Sequence, residues 1–236
     1  MKRFSSMLVY MAKLDIIFED DQILLVNKPA GIGTQAPRQF DSLEARVREY
    51  LVSCESEHTP YLGIPHRIDR CVSGIIVFAK RKKAAQRLAK QFERREVEKS
   101  YVALVSGHVA PESGTWTDTM RKIPEEPRGE IVPPDHEDAK QAVLHYEVTS
   151  RDESTAMLKI SLETGRMHQI RIQCAARGHA ILGDEMYGSQ VAFGSPFENE
   201  RDRQIALHAI TLRIEHPRMR EKLSFSAPKP ANWPTT

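Results

Sequence analysis

Three short stretches of this chain gather polar side chains of the kind that do chemistry, each directly beside an apolar segment. They are His66-Arg67-Ile68-Asp69 with Ser73-Gly74, then Lys99-Ser100-Tyr101, and last Thr164-Gly165-Arg166-Met167-His168-Gln169-Ile170-Arg171. Sites form at such boundaries, because loops carry reactive groups while the regular elements hold them in place. A carboxylate such as Asp69 acts as nucleophile or base, Tyr101 offers a ring for stacking, and His66 and His168 are acid–base groups. Taken singly, each also has a purely structural explanation. Asp69 stands between Arg67 and Arg70, the usual setting of a loop ion pair. Tyr101 at a strand start serves as half-buried core. His168 and Arg171, one helical turn apart, serve as a cap and a solvent-facing pair.

The elements that must position these groups read as follows. Leu14 to Phe18 and Ile23 to Val26 are strands about an Asp20-Asp21 turn. Asp41 is placed to cap a helix with Glu44 three residues on and an apolar stripe of Leu43, Val47, Tyr50 and Leu51. Gly74 to Ala79 is a buried strand, followed by a basic helix whose Ala84, Ala85, Leu88, Ala89 and Phe92 face the core. Tyr101 to Val105 and Val143 to Val148 are strands, separated by a Pro-rich acidic surface loop from Ile123 to Asp138. Ala156 to Leu162 alternates cleanly, with Ala156, Leu158, Ile160 and Leu162 on one face. A helix is expected from Arg166 to Arg177, with Met167, Ile170 and Cys174 inward and Gly178 as its stop. Leu207 to Ile214 and Leu223 to Ser226 close as strands. Many strands with few helices, not regularly alternating, predict an α+β fold with a mixed, largely antiparallel sheet flanked by a few helices.

The 236 residues suffice for a core without staples, and no apolar run approaches the roughly 20 residues that cross a bilayer. Met1 to Lys13 reads as a mobile tail and the rest, 14–236, as one domain; the apolar part of the tail is too short for a signal peptide. Cys54, Cys71 and Cys174 are odd in number and far apart, which fits a reducing cytoplasm and no zinc site. Net charge is only +2. Its distribution is uneven, because Lys80 to Lys99 holds nine Lys or Arg against three Glu, whereas Glu125 to Asp138 holds six acids against one Arg. Clustered basic residues attract phosphates; a solvated helix face explains the same pattern.

Together and in order, the three stretches resemble the RluA-type pseudouridine synthases, isomerases that modify RNA. The resemblance covers about Leu14 to Pro228. Ile23-Leu-Leu-Val-Asn-Lys-Pro-Ala-Gly31 is similar to the opening motif of that family, and His66-Arg-Ile-Asp-Arg-Cys-Val-Ser-Gly74 to its His-Arg-Leu-Asp-x-x-Thr-Ser-Gly signature. Lys99-Ser-Tyr101 matches Lys-x-Tyr, and Thr164 to Arg171 and Gly178 to Gly188 match the closing motifs. Four ordered motifs are far more specific than a lone match. Ile68 stands in place of the usual Leu and Val72 in place of the usual Thr. Many members carry an N-terminal S4-type RNA-binding domain, for which the early first motif leaves no room.

The resemblance implies a catalytic aspartate at Asp69 in a central RNA-binding cleft. Arg171 is implied as its charge partner, since an opposite charge favours the ionised carboxylate. Tyr101 is implied to stack on the uracil and Arg67 to fill the place the base leaves, because a uridine must be extruded to be reached, at a cost on the order of a few kcal/mol. His66, Arg166 and His168 are expected to line or support the site, and Lys82, Lys83 and Arg87 to contact phosphates. No cofactor, metal or membrane is expected, the partner is a structured stem-loop of ribosomal or transfer RNA, and the protein is expected as a monomer. The rival readings are a noncatalytic RNA-binding protein on the same fold, a metal-dependent hydrolase, for which ligand spacings such as His-x-x-x-His are missing, and a phosphodiesterase using His66 and His168.

Overall fold

In the computed structural model, residues 14–54 and 60–234 are described; the expected N-terminal tail lies outside them. Ten strands form one sheet in the order β1-β2-β3-β9-β4-β8-β7-β5-β6, with β10 paired to β9. They are β1 (Ile16–Glu19), β2 (Ile23–Lys28), β3 (Ser73–Ala79), β4 (Glu98–Ser106), β5 (Ser113–Lys122), β6 (Gly129–Ile131), β7 (Lys140–Arg151), β8 (Thr155–Leu162), β9 (Leu207–Glu215) and β10 (Lys222–Ser226). Three helices flank it, α1 (Leu43–Cys54), α2 (Lys82–Glu93) and α3 (Gln169–Ala175). The expected α+β class, with a largely antiparallel sheet, is the observed one.

β2 and β3 are unbroken apolar runs because both of their faces are covered. Ile23, Leu25, Ile75 and Val77 face the main core, while Leu24, Val26, Ile76 and Phe78 pack against Leu43, Val47 and Leu51 of α1. Burying such a side chain contributes roughly 1.5 to 3 kcal/mol. The two halves of the sheet meet where β3 runs parallel to β9, a contact of two register pairs, Ser73↔His208 and Gly74↔Ala209. Two features secure this short seam. Ser73 Oγ lies 2.9 Å from His208 Nδ1 in the core, and Gly74 sits at φ +121, where a Cβ would come within 2.3 Å of the Ala209 carbonyl.

Several local expectations are corrected. Ser42, not Asp41, caps α1 by accepting from Ala45 N at 3.2 Å; Asp41 is drawn off by Arg46. On α2, Ala89 is exposed and Gln91 is buried instead, because its amide exchanges hydrogen bonds with the backbone of Glu215 at 2.8 and 2.9 Å. Met157, placed on the outer face of β8, is buried as well. The acidic loop contains β6, and the sequence reading missed β5 altogether. At an inward position of β5 stands Asp118, held by Gln173 and Arg177, which spoils the apolar alternation that reveals a strand. The helix expected from Arg166 begins only at Gln169, because His168 adopts left-handed backbone, φ 53, at its N-cap.

Candidate active site

The loop 66–72 enters β3 beside the seam, and the opening segment of the chain clamps it from beneath. Lys28, fully buried, donates to the carbonyls of Pro29, Ile32 and Arg70 at 2.9, 2.8 and 3.2 Å. Burial pulls its ammonium down to about 7. Gly31 N also donates to Arg70 O, and the Thr34 hydroxyl to Ile68 O at 3.0 Å. Val72 is buried in the main core and also lines the cleft. The loop backbone is thus fixed at Ile68 and Arg70, and Asp69 between them projects a carboxylate that is 33% exposed.

The opposite wall is α3 and the loop before it. Thr164 and Gln169 tie that loop to β7: Thr164 Oγ1 accepts from Val143 N and donates to Gln169 Oε1, which also accepts from Arg166 N. Arg171 is 5% exposed; its Nη1 lies 3.3 Å from Asp69 Oδ2, while Nε and Nη2 form a two-pronged pair with Asp184 at 2.7 and 2.8 Å. Its guanidinium also lies over the Tyr187 ring, 4.9 Å from the centroid. Burial works against its charge, but Asp184 and Asp69 outweigh that and hold Arg171 cationic, above the ordinary arginine value.

His168 completes the surroundings of the Asp69 carboxylate. Its Nε2 is 3.6 Å from Asp69 Oδ2 and its Nδ1 is 2.8 Å from Tyr187 Oη. Tyr187 Oη also accepts from Gly129 N at 3.1 Å, which ties the His168–Tyr187 pair to β6. Burial, opposed by Asp69, holds His168 below its ordinary value and so neutral near pH 7. Left-handed backbone on a non-glycine residue costs about 1 to 3 kcal/mol, and the side chain it places here is the one that faces Asp69.

These walls enclose a cleft of about 450 Å³ lined by Asp69, Tyr101, Arg171, His66, Arg67, Arg166 and His168, all of them foreseen from the sequence. The Tyr101 ring forms part of the wall, and burial, with the Asp69 charge, pushes its hydroxyl above the ordinary tyrosine value. His66 spends its Nε2 accepting from Val77 N at 3.1 Å and stacks on Phe92 at 4.5 Å between centroids. Burial pushes it down to about 3, so it stays neutral. Arg166 Nε donates to Gln141 O at 2.8 Å. Lys82, Lys83 and Arg87 are not brought to the cleft; they are exposed on α2, where Arg87 donates to Pro217 O, and only Phe92 and Glu93 at the far end of that helix, with Arg95 just beyond it, line the cleft. Sequence reasoning gave no role to Lys28, Lys99, Asp184 or Tyr187. All four stand inside motifs it had singled out, but Lys28 reaches Arg70, Asp184 reaches Arg171 and Tyr187 reaches His168 and Gly129, contacts that local spacing does not reveal. Lys99 lines the cleft, and burial lowers its ammonium below the usual value. Among the described residues no three His, Cys, Asp or Glu converge as metal ligands, and no helix is long and apolar enough to cross a membrane.

The cleft thus holds a partly exposed carboxylate beside a buried arginine and a tyrosine ring, and comparison with known proteins shows the family. The RNA pseudouridylate synthase family matches residues 22–176. The chain belongs to that family, as an RluA-type RNA pseudouridine synthase. It is 37% identical over 221 residues to the dual-specificity RNA pseudouridine synthase RluA of Pasteurella multocida, covering 91% of this chain and 93% of the relative. To the ribosomal large subunit pseudouridine synthase D of the same organism it is 32% identical over 232 residues, covering 93% of this chain and 68% of the relative. Human RNA pseudouridylate synthase domain containing 1 superposes with a TM-score of 0.74 over 98% of this chain and 87% of that one, at 24% identity, a likeness of fold.

Proposed function

We propose that this protein isomerises specific uridines of structured ribosomal or transfer RNA in the cytoplasm, with Asp69 as the catalytic carboxylate. The reaction breaks the N1–C1′ bond of uridine, turns the base over and joins C1′ to C5; C5 gives up its proton and N1 takes one, so atoms balance without redox change. Asp69 acts either as nucleophile or as base on the ribose. The observation that carries the reading is the Asp69 carboxylate, one-third exposed in the cleft and 3.3 Å from a buried guanidinium. Arg171 orients it, Tyr101 stacks on the extruded uracil, and Arg67, exposed beside Asp69, fills the vacated stack. The names of the relatives, dual-specificity for one and ribosomal large subunit for another, support the RNA classes.

The test uses RNA from cells lacking this gene, in which pseudouridines are mapped before and after incubation with the protein. Wild type introduces pseudouridine at discrete positions without shortening the RNA. Asp69→Asn binds the RNA and introduces none; wild-type rates from that variant defeat the assignment.

A further inference from the structure

The catalytic loop is a ridge with a depression on each side. Behind the cleft lies a second groove of about 280 Å³, which shares Arg67, Ile68 and Asp69 with it and is otherwise walled by Gly33 to Pro37, Arg70 and Arg201. Most arginines of the described residues pair with an acid, but among those residues the guanidiniums of Arg67, Arg70 and Arg201 have no acid or hydrogen-bond acceptor in reach. The acids nearby in sequence are committed elsewhere: Asp41 to Arg46, Glu44 to Arg48 and Gln35, Glu200 to Arg203. Asp202 is exposed, and Asp69 is shared with the cleft. Arg201 lies over the ring of Phe40 at 3.7 Å from its centroid, and Phe40 is 39% exposed, so the stack is open to solvent.

Guanidiniums without an acidic partner around a concave surface suit an anion with several phosphates. A guanidinium stacked on an aromatic ring keeps its edge free for hydrogen bonds and its outer face free for a base. Because the groove and the cleft adjoin across one loop, a single strand whose uridine occupies the cleft crosses the ridge into the groove. We propose that this groove is an RNA subsite for the nucleotides flanking the extruded uridine, with Arg70 and Arg201 on their phosphates and the Arg201–Phe40 stack beneath a neighbouring base. This rests on the reading that RNA occupies the cleft. It gives a role to three arginines that line the groove without an acidic partner.

Arg70→Gln, Arg201→Gln and their combination test it, with melting curves checking the fold. The binding probe is a fluorescein-labelled nonauridylate, followed by anisotropy across a salt series. Turnover is measured on RNA from cells lacking the gene. The double variant is expected to bind the nonauridylate at least tenfold more weakly and to lose about 0.7 of log–log salt slope per arginine. KM is expected to rise about as much as Kd, with kcat moving less than twofold. Arg201→Lys keeps the salt slope but loses affinity, because the stack needs a planar cation. Unchanged Kd and slope in the double variant overturn the subsite, as does a fall in kcat at constant KM, which would mean that the arginines act on the loop. Wild type that forms no pseudouridine, yet binds the nonauridylate through Arg70 and Arg201, refutes the assigned activity and supports the subsite.

Discussion

Asp184→Asn offers the sharpest probe of how the site is held. In the native protein Arg171 spends Nε and Nη2 on the two Asp184 oxygens, leaving Nη1 for Asp69. Both partners are nearly sealed from water, with side chains 5% and 2% exposed. An asparagine offers one oxygen where two stood, and its amide group opposes an arginine N–H. One charge-assisted bond is lost, the other loses its charge, and the cation keeps only the partly exposed Asp69 3.3 Å away. Hydrogen bonds to charged groups contribute about 1.5 to 3 kcal/mol each, and removing one partner of a buried pair costs about 3 to 5 kcal/mol. A domain of this size has about 5 to 15 kcal/mol in hand, so the variant folds. If about 3 kcal/mol of this falls on the orientation of Nη1, the rate drops roughly 100-fold at about 1.4 kcal/mol per factor of ten. The assay is single-turnover release of tritium from RNA labelled at uridine C5, alongside urea unfolding. A variant several kcal/mol less stable but within threefold of the wild-type rate shows that Asp184 does not orient Arg171 for the reaction. One that matches wild type in both measures removes the buried pair itself.

Other outcomes follow from the same geometry. Tyr187→Phe takes away the hydroxyl that pins His168 Nδ1 and caps Gly129 N, so stability falls by about 1 to 3 kcal/mol and the rate by about tenfold; unchanged tritium release would separate the Tyr187–His168 pair from turnover. His66 titrates near 3 in the folded protein against 6.5 in the unfolded chain. The unfolded state therefore takes up its proton first as pH falls, so this group erodes stability between pH 6.5 and 3, by up to about 1.4 kcal/mol per unit, and leaves it unaffected above 6.5. His66→Gln keeps an acceptor for Val77 N without the titration and should show a shallower acid slope in urea midpoints; parallel curves would contradict this. Lys28→Met takes the ammonium donor from the carbonyls of Pro29, Ile32 and Arg70, of which Arg70 O keeps Gly31 N, and loosens the loop that carries Asp69. The expected signature is lower stability together with faster amide exchange at Val72, whose N donates to Asp69 O, and protection equal to wild type there would refute the clamp.

Patterning alone reached the fold class and most strands, since the runs in β2, β3 and β8 are local consequences of burial on a pleated surface. It failed where a distant partner replaces the local rule. β5 escaped because Asp118 at an inward position is satisfied by Gln173 and Arg177 of the α3 region. The start of α3 was misplaced because His168 is bent into left-handed backbone beside Asp69 and Tyr187.

The sequence by itself singled out the candidate site residues that line one cleft, because a chemical motif needs particular side chains at short spacing on one loop or turn. The tertiary structure alone decided which charges meet. Asp69, Arg171 and Asp184 are separated by up to more than a hundred residues, and no local periodicity encodes a contact of that range. Only the sheet order, with β3 laid against β9 and α3 carried across from β8, brings one carboxylate to an open cleft and the other to the back of the same arginine.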